Sequence, residues 1–214
     1  EVFEMVLPGK LNTELVTDLR AAGVNAIGLS GVDGGLVTGP RKSAVRVVED
    51  GKKKIRRGDH AGKPASVNAD LLDSLLADGY VPAISPPMLA DDGTAANADA
   101  DRVAALLAAE LGAELVLLTD VEGVYEDPDD PETLIDEAST PAEFAAVETA
   151  AEGFMSRKVH AAEEALTGGA EGVVVSDATL RKPLLAALEG HGTWIAKEAV
   201  LNEEQPAADG GDGE

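Results

Sequence analysis

Three times along this chain a stripe of apolar residues at helical spacing is followed by a short aliphatic run, and that alternation restricts the fold to α/β architectures with parallel strand pairing. A helix read over 68–77 leads to Val81-Pro82-Ala83-Ile84, one over 99–111 to Leu115-Val116-Leu117-Leu118, and one over 156–167 to Gly172-Val173-Val174-Val175. Crossovers of this kind are right-handed and lay their helices on the faces of the sheet. A three-layer αβα sandwich around a mainly parallel sheet is therefore expected. With 44% hydrophobic residues but only 3% aromatic ones, the core has to be built from Ala, Leu and Val, which suits helices packed on parallel strands. The length fits one domain, read over 1–197, and the remaining 198–214 are acidic and aperiodic, as expected of a disordered tail.

Before this alternating region, Val2, Phe3, Met5 and Val6 already follow a helical stripe with no capping residue ahead of them. The chain is expected to open inside a helix, with more protein upstream. The helix resumes after Pro8-Gly9 with Leu11, Leu15, Val16 and Leu19 and stops near Gly23. A buried strand over 24–29 runs into Ser30-Gly31-Val32-Asp33-Gly34-Gly35. A hairpin follows, its arms joined by Asp50-Gly51, a pair that supplies the positive φ angles of a tight turn.

Charge narrows the function. The formal net charge is −23, a surface that repels nucleic acids and anionic lipid alike. Nine of the seventeen Lys and Arg residues nevertheless lie between Arg41 and Lys63, against Glu49, Asp50 and Asp59, so this segment is net +6 and the remainder −29. There is no cysteine, which removes disulfides, thiolate metal sites and cysteine nucleophiles from consideration. No apolar run reaches the roughly 18–20 residues that cross a bilayer, and no leader opens the chain, so a cytoplasmic protein is expected. The acidic excess is what a salt-rich cytosol tolerates, because the Debye length shrinks to about 3 Å at 1 M salt. Thermal melts in low and molar KCl check this halophilic reading: the melting temperature is expected to rise with salt, and equal values count against it.

Four polar clusters follow apolar runs. Asn97-Ala98-Asp99-Ala100-Asp101 opens a helix, where Asn and Asp either cap free N–H groups or bind a ligand. Gly153-Phe154-Met155-Ser156-Arg157-Lys158 sets two cations at a helix start, against the helix dipole; a bound phosphate would compensate them, and so would solvent. Thr119-Asp120-Val121-Glu122-Gly123-Val124-Tyr125 leaves the end of a strand, where nucleotides bind in α/β sheets, although Asp120 and Gly123 also suit a plain turn. The run from Gly28 to Gly35 is rich in glycine but does not match G-x-x-x-x-G-K-[ST], which excludes a Walker-type loop. His60, His160 and His191 have no metal-ligand spacing, so any metal is expected to arrive as Mg²⁺ on a nucleotide.

Taken in order, the stretches LNTELVTDLRAAGVNAIGLSGVDGG, VNADLLDSLLADGYVPAISPPMLADDGTAANADADRVAALLAAELGAELVLLTDVEGVY and GFMSRKVHAAEEAL resemble the amino acid kinase family, most closely its acetylglutamate kinase branch. Within the branch, GLSGVDGG and VRVVEDGKKKIRRGDHAGK look like the kinases that act on glutamate or 2-aminoadipate attached to a LysW-type amino-group carrier protein. The resemblance implies ATP with Mg²⁺ as co-substrate, arginine or lysine biosynthesis as the setting, and a homodimer. It places Asn97 and Gly31 at the substrate, Asp101 as organiser of the catalytic cations, Lys158 on the transferring phosphoryl group, and Thr119, Asp120 and Tyr125 at the nucleotide. The carrier of such kinases is acidic, so Lys52, Lys53, Lys54, Arg56 and Arg57 would be its docking surface.

The departures are specific. The family's first strand, with its lysine and glycine-rich phosphate loop, and its substrate-binding arginine have no counterpart here, and would precede Glu1. Asp99 stands where the branch commonly carries Asn. Two alternatives stay open beside the carrier-dependent kinase: an acetylglutamate kinase acting on the free acid, and a non-catalytic amino acid or nucleotide sensor of the same fold.

Overall fold

The computed structural model describes residues 2–41, 44–49, 52–57 and 61–201, the two hairpin arms by their backbone. The Asp50-Gly51 turn, His60 and the expected tail from 202 onward lie outside the described residues. The chain forms two compact units, Glu1–Glu110 and Leu111–Glu214.

In the first unit α1 (Val2–Glu4), a π-helical stretch (Met5–Leu11) and α2 (Asn12–Ala21) run without interruption. The break expected at Pro8-Gly9 does not form. Proline has no N–H, and its ring crowds the carbonyl four residues back; widening the helix to i→i+5 spacing accommodates both. Next come β1 (Ala26–Gly31), β2 (Val37–Gly39), β3 (Ala44–Glu49), β4 (Lys52–Arg57), β5 (Ser66–Val67), α3 (Ala69–Ala77), β6 (Val81–Ala90), β7 (Ala95–Asn97) and α4 (Ala100–Leu111). The sheet order is β1-β6-β2-β5, with β7 also on β6. β1 and β2 run parallel to β6, whereas β7 runs antiparallel to it. The hairpin forms as expected, from Ala44 opposite Arg57 to Glu49 opposite Lys52.

β6 extends well past the four residues read from the sequence, through Pro86-Pro87 to Ala90. Prolines cannot donate to a ladder, and the register answers with a bulge. Ser30 pairs with Ser85, but the next residue, Gly31, pairs with Met88. α2 is fastened to these strands by Asn12, only 8% exposed, whose Nδ2 donates to the Ala83 carbonyl at 2.7 Å and Ser85 Oγ at 2.9 Å. Leu36, Val37, Leu72 and Met88 form the buried centre of this unit.

The second unit contains β8 (Glu114–Thr119), β9 (Glu137–Ala138), α5 (Pro141–Ala150), α6 (Gly153–Gly168), β10 (Gly172–Asp177), α7 (Pro183–Leu188) and β11 (Thr193–Ala196). Its sheet order is β8-β10-β11-β9; β8 and β10 are parallel, from Glu114 opposite Gly172 to Thr119 opposite Asp177. β10 is buried along nearly its whole length, which explains why it reads as an unbroken aliphatic run rather than an alternating one. Val173, Val175, Leu166 and Ile195 are fully buried there. α5 starts on a capping box in which Thr140 and Glu143 satisfy each other's backbone N–H groups. Hydrogen bonds from the Ser139 amide and from Thr140 hold the Glu143 carboxyl below the usual carboxylate range.

Candidate functional site

In the first unit the ends of β1 and β7, Gly31 and Asn97, both meet β6 at its Pro87-Met88 step. Asn97 is the last residue of β7 and is exposed; it pairs with Pro87 of β6. On the other edge of the same turn of β6, Gly31 is buried, and a Cβ there would collide with the Pro87 carbonyl and Val37. Close approach of two strands thus accounts for a glycine at 31. Two of the expected substrate residues, Gly31 and Asn97, therefore flank Pro87 from opposite sides.

Asp99 turns out to be the cap. Its Oδ1 accepts from the amides of Asp101 at 3.1 Å and Arg102 at 3.3 Å, while its carbonyl takes the Val103 N–H. The capping explanation thus accounts for Asp99. Asp101 lies half-buried in the first turn of α4, four residues after Asn97. After β1, Ser30 donates from its amide at 2.7 Å and from its hydroxyl at 2.9 Å to Asp33 Oδ2, shaping the glycine-rich turn.

The roots of the basic hairpin reach this same rim. The Arg41 guanidinium sits 2.9 Å from Asp92 Oδ2 in the β6–β7 turn. Thr94, through its hydroxyl and its amide, and then Arg41 hold the Asp92 carboxyl below its ordinary value. Folding therefore favours the charged carboxylate, so this brace is complete at neutral pH and is released only as pH falls through the depressed value.

In the second unit β8 and β10 end side by side at Thr119 and Asp177. Thr119 Oγ1 donates to Asp120 Oδ1 at 3.1 Å, and the Thr119 carbonyl accepts the Ala178 amide at 2.7 Å. The Tyr125 hydroxyl donates to Glu122 Oε2 at 3.0 Å; burial and that carboxylate push the phenol's pKa up. The loop between them is pinned by the fully buried Thr193, whose Oγ1 accepts from the Val124 amide at 2.8 Å. Gly123 is pressed against the same hydroxyl, so its lack of a side chain serves packing.

α6 packs on β8 and β10 and joins β10 through a short turn, so it runs antiparallel to that strand. Its first turns, with Lys158 half-buried, therefore sit at the end of the unit towards which β8 and β10 point. The structure brings Thr119, Asp120, Tyr125 and Lys158 to one end of this unit. Glu122, part of the cluster read from the sequence, belongs to the same rim, and so does Asp177, which was missed from the sequence. Adjacency of two parallel strand ends was the signal that could have found Asp177. Arg157 stacks over the exposed Phe154, 5.5 Å from the ring centroid, in the first turn of α6.

Among the described residues no three His, Cys, Asp or Glu side chains group so as to hold a metal ion, and no helix is long and apolar enough to cross a membrane. The profile described as the Amino acid kinase family matches residues 1–177. The chain belongs to the amino acid kinase family. This family of phosphotransferases includes close relatives of the chain. The LysW-aminoadipate kinase of Thermus thermophilus is 46% identical over 200 residues, covering 91% of this chain and 73% of that protein. An acetylglutamate kinase of Methanopyrus kandleri is 43% identical over 198 residues, covering 91% and 76%. Among solved structures, N-acetylglutamate synthase from Neisseria gonorrhoeae complexed with coenzyme A and N-acetylglutamate aligns with a TM-score of 0.70 and 26% identity, over 89% of this amino acid kinase chain and 42% of that one. The α/β fold with mostly parallel sheets agrees with that membership.

Proposed function

We propose that this protein transfers the γ-phosphoryl group of Mg·ATP to the side-chain carboxylate of glutamate or 2-aminoadipate attached to an acidic amino-group carrier protein, in arginine or lysine biosynthesis in the cytoplasm. The observation that carries the reading is the net +6 hairpin segment of a −23 protein, rooted beside Asn97. A cationic surface of that kind serves an anionic macromolecular partner, whereas a small free acid has no use for it. The likeness to the Thermus LysW-aminoadipate kinase supports the same assignment.

In this reading Asn97, with the backbone at Gly31, holds the acceptor end. Lys158 neutralises the phosphoryl group in flight, Asp101 organises the catalytic cations, and Thr119, Asp120 and Tyr125 hold the nucleotide. The carboxylate oxygen bonds to the γ-phosphorus as the bridging oxygen leaves with ADP. A carboxylate is already ionised at neutral pH, so no general base is required, and positioning with charge neutralisation supplies the catalysis.

The second reading, an N-acetylglutamate kinase, is favoured by the Methanopyrus relative. ADP release with carrier-bound glutamate, carrier-bound aminoadipate and free N-acetylglutamate separates the two. Turnover is expected with a carrier-bound acceptor. Turnover with N-acetylglutamate alone would transfer the assignment to the second reading, and none with any acceptor would favour the non-catalytic sensor.

A further inference from the structure

The two arms of the basic hairpin are not merely attached to the first unit; they are fastened to the strand that ends in Asn97. On the outgoing side Arg41 bridges antiparallel to Gly62, and on the return side Ala61 bridges parallel to Asn97. The Gly62 amide donates to the Asn97 carbonyl at 2.6 Å. Asn97 in turn pairs with Pro87 of β6, so positions 41, 62, 97 and 87 lie side by side as one narrow ribbon. Further bonds from the Lys63 amide to the Pro40 carbonyl and from the Ala65 amide to the Thr38 carbonyl, both 2.9 Å, close the arms together. The Arg41–Asp92 pair holds the outer edge onto the β6–β7 turn.

As Met88 sits, position 62 has no room for a side chain. A Cβ there would overlap the sulfur of Met88 and crowd its Cγ and Cε, and Met88 is fully buried, packed into the centre of the unit. Glycine is thus needed here for close approach rather than for an unusual backbone angle, and the approach is what lets the amide reach Asn97.

We propose that Gly62 is a positioning residue: through its bond to the Asn97 carbonyl it makes the root of the basic hairpin and the acceptor-binding end of β7 a single hydrogen-bonded element, so that a partner held on the hairpin is aligned with Asn97. The proposal rests on Asn97 being the acceptor-binding residue of the function proposed above. It deepens that reading by adding how docking and acceptor placement are joined.

The test is Gly62→Ala in the full-length protein, read first by amide hydrogen exchange. The extra methyl has to push the return arm away from Met88. Exchange at the residue 62 amide, the donor of the bond to the Asn97 carbonyl, is expected to speed up by about three- to tenfold, the range set by one lost hydrogen bond, with 26–30 and 81–85 unchanged. Unaltered exchange at the residue 62 amide, or loss of protection spread across β1, would overturn the proposal. The second readout is kinetic: KM for the acceptor rises by a similar factor, roughly three- to tenfold, while KM for ATP stays put. The double variant Gly62→Ala with Met88→Ala restores the space, so acceptor KM is expected to return towards the wild-type value even though its melting temperature falls below that of the single variant. A role that was only structural would make KM and melting temperature worsen together, and that result would also overturn the proposal. Should no acceptor be turned over, the phosphoryl-transfer reading fails, and the exchange experiment still decides whether Gly62 sets the position of Asn97.

Discussion

Lys158→Ala is expected to lower the rate of phosphoryl transfer by ~10²–10³ or more, the usual loss on removing one electrostatic contact to the transition state, with the fold intact. The fold should survive because α6 is anchored by Val159, Ala161, Ala162, Ala165 and Leu166, all buried, and the ammonium group is no part of that set. Far-UV circular dichroism and the melting temperature of the variant should match those of the wild type. The loss should fall on kcat more than on KM for ATP, because charge on the γ-phosphoryl oxygens is greatest in flight. Lys158→Arg keeps the charge but replaces a compact ammonium by a planar fork, and is expected to recover only part of the rate. Wild-type turnover by a well-folded Lys158→Ala protein would remove Lys158 from the reaction and with it the assignment of α6 to the phosphates.

How much of this was readable beforehand depended on the range of the interaction. The helix–strand order from Asn68 to Val175 was legible because it is written in local periodicity, and the hairpin because Asp50-Gly51 has a local conformational meaning. Where a feature depends on a distant neighbour, the residues gave no warning. The strand read over Val81-Pro82-Ala83-Ile84 stops short of Pro86-Pro87, yet β6 runs through them, since β1 absorbs the missing donors by a register jump. Pro8-Gly9 read as a break, yet the helix continues by widening.

The site divides the same way. Capping was one of two readings open for the cluster from Asn97 to Asp101, and the structure assigns it to Asp99, whereas Asp177 gained meaning only once β10 was seen beside β8. Gly62 was hidden among hairpin glycines, because what constrains it is Met88, 26 positions further on.

Neutralising Lys52, Lys53 and Lys54 together as glutamines is expected to reduce kcat/KM for a carrier-bound acceptor by about 10–10² at low ionic strength, within the range that electrostatic steering supplies. The change takes the segment from net +6 to +3 and the protein from −23 to −26, so the anionic partner meets a weaker attraction and a stronger background repulsion. The effect should lie in the association rate and should shrink as KCl is raised, because at 1 M salt charges more than about 3 Å apart hardly sense one another. Salt therefore acts in opposite directions on the two properties: it relieves the self-repulsion of an acidic protein and stabilises it, while it weakens the long-range capture of an acidic partner. Stopped-flow association and thermal melts across one KCl series separate them. If the triple variant binds and turns over a carrier-bound acceptor as the wild type does at every salt concentration, the hairpin is a solvated surface, and the case for a macromolecular acceptor loses its physical support.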